Sequence, residues 1–163
     1  FLGQRVASLG LRDLSRLCHG LLAEPLGLGL RCAIRAVQHE IGGEATLVPI
    51  PTDPARQRDR GFDHAALIAS AAARALPCAL APLLERTRAV PALHTLGRAE
   101  RRRVMDRVFA VRPGAPLPKR VILVDDIWTS GATFEAAAAT LRAAGCTTIG
   151  VVAVAREGES GRA

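Results

Sequence analysis

The sequence predicts an α/β domain in which a mostly parallel, twisted sheet is flanked by helices. The chain has 163 residues, 49% of them hydrophobic, which is enough for one core that buries roughly 70% of the unfolded surface. Its last third contains an apolar run at 121–124, a helical pattern at 134–144 that Gly145 is predicted to end, and a second apolar run at 148–155. Such a strand–helix–strand succession joins parallel strands. No run reaches the roughly 18 apolar residues of a membrane span, so we expect no membrane association.

The N-terminal segment, residues 1–45, is predicted to be helical. Leucines at helical spacing predict a first helix over 8–23. A second apolar repeat ends at a glycine pair, which commonly stops a helix, and it consists of Leu30, Ile34, Val37, Ile41, Gly42 and Gly43. We therefore divide the chain into this segment and an α/β domain over 46–163, and we expect both to form one compact unit.

The α/β domain begins with a short strand and an alanine-rich helix. Residues 46–51 form an apolar run that predicts a buried strand, although Pro49 lacks the N–H that a central strand position requires. Asp63 is predicted to cap a helix over 64–76, because aspartate accepts hydrogen bonds from the free N–H groups of a helix start. Most faces of this helix are apolar, so we expect it to pack against the sheet.

The middle of the chain is predicted to hold two strands separated by an irregular segment. The apolar residues of 78–84 predict one strand, and those of 108–111 predict the other. Between them, 85–103 contains Pro91, Gly97 and six arginines. This composition predicts a mobile connection followed by a short helix.

The cysteines indicate the redox environment of the protein, and the net charge bears on the kind of partner it binds. The four cysteines form no C-x-x-C pair, which favours free, mostly buried thiols in a reducing cytoplasm over a metal knuckle. The net charge of +7 comes from basic residues that are all arginine except Lys119. It is explained either by an anionic partner or by base composition of the genome. Aromatic residues make up only 3%, which disfavours a stacking platform for single-stranded nucleic acid.

The segment 121–133 carries the most chemistry. A buried strand is expected to end at two carboxylates, Asp125 and Asp126, at the sheet edge where α/β proteins bind ligands. A hydroxyl-rich loop then opens a helix, and its N–H groups can cradle a phosphate: Thr129, Ser130, Gly131, Ala132 and Thr133. Carboxylates repel phosphate but accept hydrogen bonds from sugar hydroxyls. Either part alone is more readily a solvated turn or a helix cap. Together, in this order, they predict a sugar phosphate site.

This string resembles the signature of the type I phosphoribosyltransferases, which bind phosphoribosyl pyrophosphate (PRPP). A second block, Val48 to Pro51 followed by Arg60-Gly61-Phe62-Asp63-His64-Ala65, is similar to the competence-associated ComF branch of that superfamily. Asp63 and His64 stand where that branch usually has asparagine and glutamine. The resemblance covers about residues 46–155 and implies the phosphoribosyltransferase fold, with a flexible loop over 85–98.

The resemblance implies a reaction in which a nucleophile displaces pyrophosphate from the anomeric carbon of PRPP, with Mg²⁺ held through PRPP and not by the protein directly. It implies that Asp125 and Asp126 contact the ribose and that 129–133 holds the 5′-phosphate. Pro51, Thr52, Asp53 and Arg60 would then bind pyrophosphate. Arg86 and Arg88 would close over it, and we count them with the two acids as catalytic candidates.

Several alternatives stay open at this point. The protein is either an enzyme of unknown acceptor or a non-catalytic protein that binds PRPP or handles single-stranded DNA, for which the arginines of 98–103 are the motive. His64 and His94 are acid–base groups or merely capping and exposed residues. Trp128 either stacks on an acceptor base or covers the sheet edge. A homodimer is a further expectation.

Overall fold

The computed structural model describes residues 28–54, 57–58, 61–89 and 98–156, without the side chains of 98, 99, 101 and 102. The predicted helix over 8–23 lies outside the described residues. The helices and strands follow one another along the chain as α1 (Arg31–Glu40), β1 (Thr46–Pro49), α2 (His64–Ala75), β2 (Leu84–Arg86), α3 (Arg98–Met105), β3 (Phe109–Val111), β4 (Arg120–Trp128), α4 (Ala132–Ala144) and β5 (Thr148–Arg156).

A parallel three-stranded sheet in the order β1-β4-β5 organises the fold. Its central strand β4 sets Val124 beside Pro49 of β1 and beside Val152 of β5. The predicted α/β class, with a mainly parallel sheet flanked by helices, is thereby confirmed. On its other side β1 makes one isolated bridge, from Leu47 to Leu80, so Pro49 lies where its missing N–H costs little.

The two faces of the sheet are covered by different helices. Along β4, Ile122 and Val124 face a core shared with α1 and α2, whereas Val121 and Leu123 face a core shared with α4 and β3. This alternation follows from the two-residue period of a strand. All four side chains are fully buried, and each such burial stabilises the fold by about 1.5–3 kcal/mol.

Helix α1 packs closely on β5 at Gly150, and this contact tolerates no side chain there. A Cβ on Gly150 would collide with the Val37 side chain of α1, which is itself fully buried. We expect Gly150→Ala to destabilise the protein by about 1–3 kcal/mol through overpacking. The measurement is the urea midpoint of unfolding. Adding Val37→Ala should recover part of the loss, and an unchanged midpoint in Gly150→Ala would contradict the packing.

Two of the predicted strands have different limits in the structure. The strand predicted over 78–84 is reduced to the bridge of Leu80 with Leu47. The strand of this region is instead β2, Leu84–Arg86, which pairs antiparallel with β3 in a separate two-stranded sheet. Pro82 explains the shift, since it cannot donate to a ladder. The strand predicted to end at Val124 instead continues to Trp128, because β5 pairs with it as far as Arg156.

Other local predictions are confirmed. Asp63 caps α2 by accepting from the N–H of Ala66 at 3.0 Å. Gly145 follows α4 in the left-handed conformation, at φ 113°, as a glycine after a helix end commonly does. The described thiols are free, but the expectation that they are mostly buried is wrong: Cys146 is buried, Cys78 is half-buried and Cys32 is exposed. No helix within the described ranges has the length and apolar character needed to cross a bilayer.

Candidate functional site

The candidate site lies where the carboxyl ends of β1 and β4 meet. The two strands stay paired beyond β1, because the N–H of Ile50 donates to the carbonyl of Val124 at 2.9 Å. The next residues on each side are Pro51 and Asp125. The sheet therefore brings Pro51, the first of the predicted pyrophosphate residues, and the predicted ribose-binding acids to one edge, which is where ligands bind in parallel α/β sheets.

The two acids are neighbours on β4. Both keep part of their side chains exposed, and the N–H of Asp126 donates to Oδ1 of Asp125 at 2.9 Å. Protein atoms nevertheless crowd around the Asp125 carboxyl, and this burial raises its pKa well above the ordinary value. The charge of Asp126 raises that pKa further, and the charge of Arg86 lowers it. Hydrogen-bond donors such as hydroxyls would stabilise the two carboxylates in their charged form.

The loop that follows has the backbone shape of an anion cradle. Gly131 has a φ of 80°, a left-handed conformation, and is the N-cap of α4. A Cβ at this glycine would lie 2.8 Å from the Trp128 ring, so only glycine fits. The N–H of Ala132 lies 3.5 Å from Oγ of Ser130, while Thr129 is exposed and Thr133 half-buried. The loop thus places three hydroxyl-bearing residues beside the N-terminus of a helix.

Trp128 supports this loop from below. Its ring is stacked on Phe134 with centroids 4.9 Å apart, and the residue is only 8% exposed. Of the two interpretations left open by the sequence, the structure favours the one in which Trp128 covers the sheet edge.

Arg86 connects the parts of the site. Its Nε donates to the carbonyl of Pro51 at 2.8 Å, and its Nη1 lies 4.0 Å from Oδ2 of Asp53. The guanidinium also lies over the Phe109 ring, 5.1 Å from the centroid. Both members of the pair with Asp53 are about nine-tenths buried. Arg86 therefore lies in a paired strand and is held on several sides, which corrects the expectation that it belongs to a flexible segment.

Four further residues were predicted for the site: Arg60, His64, Arg88 and His94. Arg88 is exposed, and its Nη2 donates to the carbonyls of Val104 and Asp106 near the end of α3. His64 begins α2 and contacts Phe62 edge-on, at 4.6 Å between ring centroids. Arg60 and His94 lie outside the described residues, and the roles of all four stay predictions.

The arginines at 98–103 lie on α3. Arg103 and Glu100 are exposed, and the side chains of Arg98, Arg101 and Arg102 are outside the described set. Neither single-stranded DNA binding nor the homodimer is tested by this arrangement.

Asp63 is the site residue whose role the sequence missed. Besides capping α2, it accepts through Oδ2 from the N–H of Thr52 at 3.1 Å. The cap pattern predicts one hydrogen bond close by in the chain. The second joins residues separated by 11 positions, and only the fold brings them together.

Two comparisons with known proteins found matches to the chain. A family model described as the phosphoribosyl transferase domain matches residues 64–163, which is more than half of the chain. A solved structure of a hypoxanthine phosphoribosyltransferase from Staphylococcus aureus is similar at a TM-score of 0.43 and 12% identity, over 88% of this chain. The chain corresponds to 66% of that protein's length. None of the curated proteins compared matches the sequence significantly.

Proposed function

The chain belongs to the phosphoribosyl transferase domain family, and on this premise we propose that it binds PRPP and transfers the phosphoribosyl group to an acceptor. One observation carries the proposal. The paired acids of β4 and the glycine-capped loop that opens α4 lie in immediate succession, at the edge that also holds Pro51 and Asp53. Acids suit the ribose diol, and helix N–H groups suit the 5′-phosphate.

Each part of the site has a proposed task. Asp125 and Asp126 accept hydrogen bonds from the ribose hydroxyls, and loop 129–133 holds the 5′-phosphate. The pyrophosphate loop, residues 51–53, receives the leaving group next to Arg86. Since bond breaking leaves positive charge on the sugar and negative charge on pyrophosphate, carboxylates on one side and a guanidinium on the other stabilise both.

Magnesium is proposed as the cofactor. Within the described residues no group of three or more His, Cys, Asp and Glu could enclose a metal ion. Mg²⁺ usually keeps waters and binds through substrate phosphates with one or two carboxylates nearby, which suits the Asp125–Asp126 pair. The ion would then be held by the oxygens of PRPP and would neutralise charge on the pyrophosphate.

The ComF-like branch is proposed as the closer relationship, supported by the Arg60–Ala65 block. The alternative for that branch is a protein that binds PRPP without turnover. Pyrophosphate release from PRPP and Mg²⁺ across a panel of acceptors decides between them. Release with at least one acceptor supports the transferase, whereas PRPP binding without release for every acceptor supports the non-catalytic protein. Titration with single-stranded DNA at two salt concentrations tests the DNA-handling prediction, which fails if no binding occurs at low salt.

Thr129→Ala combined with Ser130→Ala tests the phosphate loop. Removing both hydroxyls should weaken PRPP binding by roughly tenfold. Each lost hydrogen bond to a charged group costs about 1.5–3 kcal/mol, and water that takes the place of the hydroxyls recovers part of this free energy. Calorimetric titration with PRPP and Mg²⁺ measures the change.

The exposed Thr147 is the matched control, because its hydroxyl donates to the Lys119 carbonyl at the opposite end of the sheet. Thr147→Ala should leave PRPP affinity unchanged. Wild-type affinity in the double variant would refute the assignment of loop 129–133.

A further inference from the structure

The carboxylate of Asp63 binds two different segments at once. Its Oδ1 accepts from Ala66 at 3.0 Å, which is an ordinary helix cap. Its Oδ2 accepts from the N–H of Thr52 at 3.1 Å, in the pyrophosphate loop. A helix cap needs one oxygen, and serine, threonine or asparagine supply one. The second bond is the part that capping leaves unexplained.

The pyrophosphate loop is consequently fixed on both sides of the Pro51–Thr52 peptide. Arg86 binds its carbonyl, and Asp63 binds its N–H. The position of Asp63 is fixed in turn, because α2 buries Ile68, Ala69 and Ala72 against the sheet. The orientation of this peptide is thus tied to a buried helix on one side and to a buried arginine on the other.

We propose that Asp63 is a positioning residue for the pyrophosphate loop, which its carboxylate keeps in the shape that receives the pyrophosphate of PRPP. The identity of the ligand rests on the proposed function. Asp63 acts through Thr52, because both of its carboxylate oxygens already accept hydrogen bonds from protein N–H groups. Small errors of placement in such a loop are costly, because positioning is the main contribution of the protein.

Asp63→Ser separates the two bonds. Serine has a single side-chain oxygen that can still cap α2, but it cannot reach Thr52 as well. We expect PRPP affinity to fall roughly tenfold, as for the loss of a hydrogen bond to a charged group. Affinity for ribose 5-phosphate, which has no pyrophosphate, should stay unchanged. Asp106→Asn is the control, because it removes the same charge from an exposed turn and should change neither affinity.

Amide hydrogen exchange supplies a measurement that needs no ligand. In Asp63→Ser the Thr52 amide should exchange at least roughly tenfold faster than in the wild type, while the Ala66 amide keeps its protection. Wild-type exchange at Thr52, equal losses for both ligands, or a rise in PRPP affinity would each overturn the inference. A wild-type chain that binds neither ligand contradicts the proposed function instead, and the Thr52 exchange rate still decides whether Asp63 holds the loop.

Discussion

Arg86→Met is expected to destabilise the protein by about 3 kcal/mol, because it removes one member of a buried ion pair. Methionine keeps much of the volume next to Phe109 but loses the bond to the Pro51 carbonyl and the charge beside Asp53. PRPP affinity should fall by roughly a hundredfold, since the pyrophosphate loop loses both its support and the cation that is hydrogen-bonded to it. Urea unfolding and PRPP titration measure the two effects.

Arg112→Met is the matched control for this change. Arg112 follows β3 in the same two-stranded sheet, is exposed, and also donates from Nε to a strand carbonyl, that of Leu84 at 3.2 Å. We expect a loss of at most about 1 kcal/mol and unchanged PRPP affinity. Arg86→Lys, which keeps the charge without the planar fork, should fall between the two. If Arg86→Met and Arg112→Met behaved alike, Arg86 would have no special place in the site.

Asp125→Asn is expected to raise the stability of the protein at pH 7 and to weaken ligand binding. Burial raises the pKa of Asp125 above its ordinary value of 3.8, so the folded state binds the proton more tightly than the unfolded state. The stability that this confers is complete below pH 3.8 and is lost as the pH rises through the folded-state pKa. Asparagine carries no charge at any of these pH values and keeps an oxygen for the Asp126 N–H. The variant should therefore be more stable than the wild type at pH 7.

The ligand side of the same variant should show a loss. Replacing a charged acceptor with a neutral one should lower affinity for PRPP and for ribose 5-phosphate alike, by roughly tenfold. Unfolding measured from pH 3 to pH 8 should give a flatter stability curve for Asp125→Asn than for the wild type. Asp106→Asn serves again as the exposed control. A variant that was less stable at pH 7 and bound both ligands normally would contradict the description of the acid pair.

Local patterns were sufficient to predict much of this fold. The segment from β4 to β5 follows from hydrophobic periodicity, and the ends of α2 and α4 follow from Asp63 and Gly145, whose effects act within a few residues. The acids and the phosphate loop could be placed on one edge because a parallel sheet collects the ends of its strands there. The roles assigned to them remain predictions.

Features set by distant partners could not be predicted in this way. The extension of β4 to Trp128 depends on hydrogen bonds from β5, which follows only after a whole helix. The position of Arg86 depends on antiparallel pairing with β3, and the second bond of Asp63 depends on the approach of α2 to the loop after β1. In each case the physical cause lies in a contact between residues far apart in sequence.

The packing of the Trp128 ring against Gly131 has a practical consequence. The protein has one tryptophan and no tyrosine, so ultraviolet emission excited at the indole band arises from this single ring. The ring touches the turn that is proposed to grip the 5′-phosphate and is shielded from solvent by it. The fluorescence of the unlabelled chain should therefore respond to ligand binding at loop 129–133, and stopped-flow measurements could follow the rate of that binding.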